Sequence, residues 1–111
     1  PDAAFEALAK TVQARFGPAR VFALGPTKIR NVAVCSGSGG FCATFAPELG
    51  FDALVTGEFN HANYHDALEH GCNVIELGHY ATETLGVAAT ADWLAQKFGV
   101  KAVFLDHPTG L

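Results

Sequence analysis

Short, uninterrupted apolar runs alternate along the chain with longer stretches in which apolar residues recur at helical spacing. The apolar runs predict strands at 20–24, 31–35, 53–56, 72–77 and 101–105. The longer stretches predict a first helix that follows the N-cap Asp2, carries apolar residues from Phe5 to Phe16 and ends before Gly17, and further helices at 41–49, about 62–70 and 79–98. Continuous apolar strands between helices indicate an α/β fold with a largely parallel sheet flanked by helices. A chain of 111 residues suits one such domain, spanning 1–111.

The predicted strand ends carry the residues with the most useful chemistry. Parallel strands bring their carboxyl ends to one edge of the sheet, and ligands bind beyond that edge. Four of the predicted strands end in small, acidic or imidazole residues, namely Ser36-Gly37-Ser38, Gly57-Glu58, Gly78-His79 and Asp106-His107. We therefore expect a ligand-binding edge assembled from several strands.

His79 and Glu83 are the leading metal-ligand candidates at that edge. They lie four residues apart at the start of a predicted helix, so they share one helix face. Imidazole and carboxylate are both ligands of divalent transition metals. The helix N-terminus disfavours a protonated His79, which predicts the neutral imidazole that binds metal. The alternative is a solvated pair on the helix surface.

The charges are distributed unevenly along the chain. All seven Lys and Arg residues lie in 10–30 and 97–101, whereas 31–96 holds eight acids and four of the five histidines. Carboxylates and imidazoles without neighbouring cations suit a divalent metal ion. The same region would repel nucleic acid, because phosphates are bound by Lys and Arg. The charge pattern favours a metal and predicts no nucleic-acid partner.

A second histidine pair, His61 and His65, has the same four-residue spacing on another predicted helix. The Glu that follows the first histidine in the zinc motif His-Glu-x-x-His is missing here. We predict that His65, or with less support His61, relays a proton, and that Glu58 is a base or supports a metal ligand. The alternative is an ordinary solvated helix, which the neighbouring Asp66 and Glu69 favour.

The glycine-rich segment 36–40, Ser-Gly-Ser-Gly-Gly, follows a predicted strand and precedes a predicted helix. Backbone amides in such a position bind phosphate or carboxylate groups. The dinucleotide-binding fingerprint is incomplete because Cys42 stands at its third glycine, and no P-loop Lys follows. A tight turn that needs residues without a Cβ is the favoured interpretation.

The cysteines and the lack of targeting segments predict the cellular location. Cys35, Cys42 and Cys72 form an odd set that fits a reducing cytoplasm better than a disulfide framework. No apolar run approaches the roughly 20 residues of a membrane helix, and no signal peptide is recognisable. We expect a cytoplasmic protein without a membrane partner. The cysteines are predicted core residues, with a Ser or Cys nucleophile and a His base as the open alternative.

Three elements, in order, resemble the Nif-three-like dinuclear metal-centre family, also called GTP cyclohydrolase 1 type 2 homologues. They are Ser-Gly-Ser-Gly-Gly at 36–40, Thr-Gly-Glu at 56–58 with a histidine close behind, and Gly-His-Tyr-Ala-Thr-Glu at 78–83. The resemblance covers nearly the whole chain but only the carboxy-terminal half of a family member. The spacing within 58–66 differs from the family pattern, so both His61 and His65 remain possible matches to the family histidine.

The resemblance implies two divalent metals, zinc, manganese or iron, held between two related α/β halves in ring-shaped hexamers. His79 and Glu83 match the two ligands of the carboxy-terminal half. The other family ligands, a His-His-Pro segment and an Asp, belong to the amino-terminal half. Asp106-His107-Pro108 looks similar but lies at the wrong end of this chain. The partner is therefore expected to be the missing amino-terminal half or further copies of the chain in a homo-oligomer.

The function implied by the resemblance is metal-dependent hydrolysis of a nucleotide-like or other small molecule, with this chain as a divalent-metal-binding domain. In that mechanism His79 and Glu83 bind metal, His65 relays a proton, and Glu58 assists as a base or as support for a ligand. The alternative is a non-catalytic metal-binding or protein-interaction module.

Overall fold

The structure is a computed structural model that describes residues 3–110. Its strands are β1 Ala3–Ala4, β2 Arg20–Phe22, β3 Lys28–Ile29, β4 Val32–Cys35, β5 Ala53–Thr56 and β6 Asn73–Glu76. Its helices are α1 Phe5–Phe16, α2 Ala46–Leu49, α3 His61–Glu69 and α4 His79–Phe98, with a 3₁₀ helix at Gly39–Phe45 before α2. The predicted N-cap Asp2 lies outside the described residues, and Ala4 holds the N-cap position of α1. The α/β class is confirmed.

The main sheet has the strand order β2-β6-β5-β4 and is mixed, which corrects the prediction of a largely parallel sheet. β4, β5 and β6 are parallel, whereas β2 pairs with β6 in the antiparallel direction. The Arg20 guanidinium forms an ion pair with Glu76 directly opposite, which supports the register of this edge pair. An apolar run carries no information on strand direction, and antiparallel edge strands are common on parallel sheets. β1 and β3 form a separate antiparallel pair.

Apolar clusters lie on both faces of the main sheet. Alternate residues of β5 and β6 point to opposite faces. Leu54 and Val74 pack in a cluster with residues of the 3₁₀ helix, α2 and α3, and Ala53 and Ile75 pack in a cluster with α1. Leu54, Val74 and Ile75 are fully buried, so the centre of the sheet is a rigid base for the residues at the strand ends.

The predicted helix at 41–49 is divided into the 3₁₀ helix and the single turn of α2. Pro47 lies in the first turn of α2 and has no N–H to donate. The Ala46 N–H donates instead to the Ala43 carbonyl three residues back, which is the 3₁₀ pattern. Apolar spacing alone does not distinguish this arrangement from a continuous α-helix.

The predicted strand at 101–105 is wrong, because residues 99–110 contain neither helix nor strand. α4 precedes this segment, and none of its 20 residues, all of which are described, is buried. No strand within residues 3–110 pairs with the segment, so its backbone has no sheet partner there. Val103 and Leu105 are exposed as a result. Within the same described range, no helix combines the length and the apolarity needed to cross a membrane.

Candidate functional site

Three parallel strands bring the candidate residues to one edge of the sheet. β4, β5 and β6 lead into 36–38, 57–58 and 78–79, respectively. Cys35 lies opposite Thr56, and Thr56 lies opposite Glu76, so the three strand ends are level and adjacent. This edge is the one at which open α/β sheets bind their ligands.

Glycine residues allow the three strand ends to approach one another closely. Gly37 has a φ of +62°, a conformation that favours glycine, and its carbonyl accepts the Glu58 N–H at 2.8 Å. The Gly37 N–H donates to Thr82 Oγ1 at 2.9 Å, which joins the glycine-rich turn to α4. A Cβ on Gly57 would lie 2.5 Å from Thr82 Oγ1 and 2.7 Å from the Gly37 carbonyl oxygen. These contacts support the tight turn, and the Gly37 amide, one of those that an anion site would use, already donates within the protein.

His79 lies between two carboxylates at this edge. Its Nδ1 is 2.8 Å from Glu58 Oε1, and its Nε2 is 3.2 Å from Glu83 Oε1. The Ser38 hydroxyl donates to the other oxygen of Glu58 and lies 3.4 Å from His79 Nδ1. The side chains of His79, Glu58 and Glu83 are 33%, 46% and 55% exposed, so the cluster faces solvent. The structure thus brings His79, Glu83 and Glu58 together.

These contacts shift the ionisation of Glu58 and His79 in opposite directions. The hydrogen bond from Ser38 and then the one from His79 lower the pKa of Glu58. The hydrogen bond to Glu58, together with the charges of Glu83 and Glu58, raises the pKa of His79. The expectation that the helix N-terminus keeps His79 neutral is therefore wrong in direction, because nearby carboxylates outweigh the helix dipole.

His65 and His61 lie on α3, away from the contacts of this cluster. Their rings meet edge to face with centroids 5.1 Å apart, and His65 also contacts the Tyr64 ring. Both histidines are exposed. Among residues 3–110, neither forms a hydrogen bond or ion pair with Glu58 or His79. The proton-relay role of His65 stays a prediction.

Tyr80 brings the Asp106-His107 segment to the start of α4. Its hydroxyl donates to Asp106 Oδ1 at 2.7 Å and accepts the His107 N–H at 2.6 Å. The hydrogen bond to Asp106 and burial raise the pKa of Tyr80. Sequence spacing indicates neither this contact nor the roles of Ser38 and Thr82. The available signal for Thr82 is its position between His79 and Glu83, in the helix turn nearest the strand ends.

Two of the three cysteines are poorly suited to act as nucleophiles. Burial raises the pKa of Cys72 to about 11. Burial and a hydrogen bond involving Cys35 also raise the pKa of Cys42. Because the thiolate is the reactive form, these raised pKa values disfavour Cys42 and Cys72 as nucleophiles near neutral pH.

His79 and Glu83 fit a metal ion as an incomplete ligand pair. Ligand bonds of about 2.0–2.2 Å place two neighbouring ligand atoms about 3.0–3.5 Å apart, from octahedral to tetrahedral angles, and His79 Nε2 and Glu83 Oε1 are 3.2 Å apart. A Cβ on Gly37 would lie 2.6 Å from Glu83 Oε1 and 3.2 Å from His79 Nε2, so glycine leaves this space open. Within residues 3–110, no group of three or more His, Cys, Asp or Glu residues could hold a metal ion. Glu58 contacts the opposite ring nitrogen, which explains why it does not complete the set.

A sequence model of the family described as Duf34/NIF3 (NGG1p interacting factor 3) matches residues 2–110. The chain is similar to the GTP cyclohydrolase 1 type 2 homolog of Pyrococcus abyssi, with 50% identity over 92 residues, covering 83% of this chain and 36% of that protein. The protein of the same name from Archaeoglobus fulgidus is 43% identical over 97 residues, covering 87% and 40%, respectively. The chain therefore spans well under half the length of these curated relatives.

Solved structures show the same arrangement of elements. The crystal structure of TTHA1606 from Thermus thermophilus matches with a TM-score of 0.83 and 40% identity, covering all of this chain and 45% of that one. The protein ybgI, described as of unknown function, matches with a TM-score of 0.87 and 32% identity, covering 98% of this chain and 45% of that one. The fold of this chain is thus also that of the matched parts of these two solved structures.

Proposed function

Since the chain belongs to the Duf34/NIF3 family, we propose that it forms part of a divalent-metal site in a metal-dependent hydrolase acting on a nucleotide-like or other small molecule. The main support is the position of His79 Nε2 and Glu83 Oε1, 3.2 Å apart at the edge where the parallel strands end. The name of the curated relatives, GTP cyclohydrolase 1 type 2 homolog, agrees with a nucleotide-like substrate.

The chain contributes ligands and proton-accepting groups to this chemistry. A bound divalent ion would lower the pKa of a coordinated water and supply hydroxide near neutral pH. His79 and Glu83 hold the ion. Glu58, whose pKa is lowered, is ionised and accepts a hydrogen bond from His79 Nδ1. His65, exposed on α3, is the proposed proton relay, and zinc, manganese and iron all suit an imidazole-carboxylate ligand pair.

The remaining ligands come from outside this stretch of chain. Two ligands leave most coordination positions of a divalent ion unfilled. The chain covers 36–40% of its curated relatives, so an amino-terminal half of the protein is the proposed source. The family hexamer, in which copies pack against one another, is the second proposed arrangement.

One observation favours a protein-interaction module as a second function. α4 exposes large apolar side chains along its length, including Leu85, Val87 and Trp93. Exposed apolar surface of this kind marks interaction sites in soluble proteins. The two functions are compatible, because the partner that covers α4 would also be placed to complete the metal site.

Titration calorimetry with Mn²⁺ and Zn²⁺ tests the metal site. We expect weak, saturable binding by the chain, because water must fill the open positions. His79→Ala should abolish binding, and Glu83→Gln should weaken it strongly. Both variants should keep the melting temperature close to that of the wild type, since both side chains are substantially exposed.

Asp92→Asn is the matched control for Glu83→Gln, because it removes an exposed carboxylate from the same helix. It should bind metal like the wild type. Equal loss in the control would assign the binding to general acidity of α4. Tight binding by a monomeric wild-type chain would contradict the incomplete ligand set, and no saturable binding at all would reject the metal site.

A further inference from the structure

We propose that Ser38 and Glu58 are positioning residues that hold the His79 proton on Nδ1 and thereby reserve Nε2 for the metal. The inference rests on the proposed metal site, but its first test does not require metal. Ser38, Glu58 and His79 form a hydrogen-bonded series across three adjacent strand ends.

The tautomer follows from what each group can donate. An ionised carboxylate has no proton and can only accept hydrogen bonds. Glu58 Oε1 lies 2.8 Å from His79 Nδ1, so this contact requires the proton on Nδ1. In a neutral imidazole the other nitrogen, Nε2, then carries a lone pair. Nε2 is the atom that lies beside Glu83, the second proposed ligand.

The two carboxylates compete for the single proton of a neutral His79. A proton on Nε2 would hydrogen-bond to Glu83 and remove the lone pair that a metal needs. The Nδ1 contact with Glu58 is 2.8 Å and the Nε2 contact with Glu83 is 3.2 Å, so the geometry favours the proton on Nδ1. Histidine ligands are commonly oriented through the nitrogen that does not bind the metal.

Ser38 holds the Glu58 carboxylate in place. Its hydroxyl donates to Glu58 Oε2, so both carboxylate oxygens are engaged. The backbone beneath them is fixed as well, because the Glu58 N–H donates to the Gly37 carbonyl at 2.8 Å and the Gly37 N–H donates to Thr82. Each strand end supplies one residue of this hydrogen-bonded series: Ser38 follows β4, Glu58 follows β5 and His79 follows β6.

The first experiment measures the tautomer of His79 by ¹⁵N NMR of the imidazole in the metal-free protein, at a pH where the ring is neutral. The wild type should show mainly the Nδ1–H form. Glu58→Ala should shift the population toward Nε2–H, and Ser38→Ala should shift it less. Glu58→Gln should retain most of the wild-type preference, because its amide oxygen still accepts from Nδ1. An unchanged tautomer ratio in Glu58→Ala would overturn the inference.

The second experiment measures Mn²⁺ and Zn²⁺ affinity of the same variants by calorimetry. Loss of a residue that orients a histidine ligand typically weakens metal binding about 10–100-fold, and we expect this for Glu58→Ala with partial recovery in Glu58→Gln. Glu69→Ala, which removes an exposed carboxylate from α3, should have no effect. Wild-type affinity in Glu58→Ala would overturn the inference. Absence of binding in the wild type would instead reject the metal site, and the NMR result would still decide the tautomer.

Discussion

β6 and α4 are separated by only two residues, yet they differ completely in burial. Asn73, Val74 and Ile75 of β6 are at most 1% exposed. None of the 20 residues of α4, all within the described part of the chain, is buried. The molecule measures 48 × 32 × 27 Å, which is elongated for a chain of this length. The centre of the sheet and the helices on its faces therefore form a buried core, whereas α4 contributes no buried residue to it.

The composition of α4 supports that difference. A helix that stays in water is normally polar over most of its surface. α4 exposes large apolar side chains instead: Leu85, Val87, Trp93, Leu94 and Phe98. Further apolar residues outside the helix are also exposed, among them Phe16, Val34, Val103 and Leu105. The chain thus contains apolar side chains suited to burial that its own described residues do not cover.

The largest expected effect is the loss of stability on truncating a buried leucine of the core, compared with an exposed leucine of α4. Leu54→Ala should lower the free energy of unfolding by about 2–5 kcal/mol, because it leaves a cavity in the closed core. Leu85→Ala should change it by less than about 0.5 kcal/mol, because an exposed side chain is removed. Leu54 is fully buried and Leu85 is 55% exposed. Urea denaturation at low protein concentration measures both, and similar losses would show that α4 packs against the core.

The next effect concerns association through α4. We expect the chain to self-associate, and Leu85→Glu should weaken that association at least about tenfold, or about 1.4 kcal/mol, by placing a charge in an apolar interface. Leu68→Glu is the matched control, since Leu68 is 49% exposed on α3. Sedimentation or light scattering over a range of concentrations measures the change. A clean monomer at all concentrations, or an equal effect of both variants, would contradict an interface on α4.

The local sequence pattern predicts the individual helices and strands better than their arrangement. α4 begins and ends where predicted, and α1 ends where predicted, because apolar spacing and a following glycine define these bounds. The start of α1 differs from the prediction, since the helix begins at Phe5 after the N-cap Ala4 and not directly after Asp2. β5 also has its predicted bounds. The direction of β2 depends on its pairing with β6, and an apolar run does not encode it. The run at 101–105 has strand-like composition, but a strand also needs a neighbour, which the segment lacks within residues 3–110.

The location of the candidate site is likewise predicted better than the contacts within it. The carboxyl ends of parallel strands predict that Glu58 and His79 meet, and the helix spacing predicts the pair of His79 and Glu83. The individual hydrogen bonds are not predicted, because the residues that form them are distant in sequence. Glu58 precedes His79 by 21 residues, and Ser38 precedes Glu58 by 20. The electrostatic surroundings of His79 therefore differ from those that its helix position alone implies.

The smallest expected effect concerns the amino-terminal end of α4, where His79 contacts Glu58 at the strand ends. The pKa of Glu58 is lowered, so its contribution to stability is present above its unfolded-state pKa and is lost as pH falls through its folded pKa. The pKa of His79 is raised, so its contribution is complete below its unfolded-state pKa and is lost as pH rises through its folded pKa. The Glu58–His79 pair should stabilise the fold most between about pH 4.3 and pH 6.5, the unfolded-state pKa values of Glu and His.

The difference in melting temperature between the wild type and His79→Ala should be greatest in this pH window. The difference should be small, because exposed ion pairs are well solvated. Thr84→Ala removes no ionisable group from α4 and should give a difference that does not vary with pH. A stabilisation by His79 that grows steadily toward high pH would contradict the ion pair and, with it, the anchoring of α4 through Glu58.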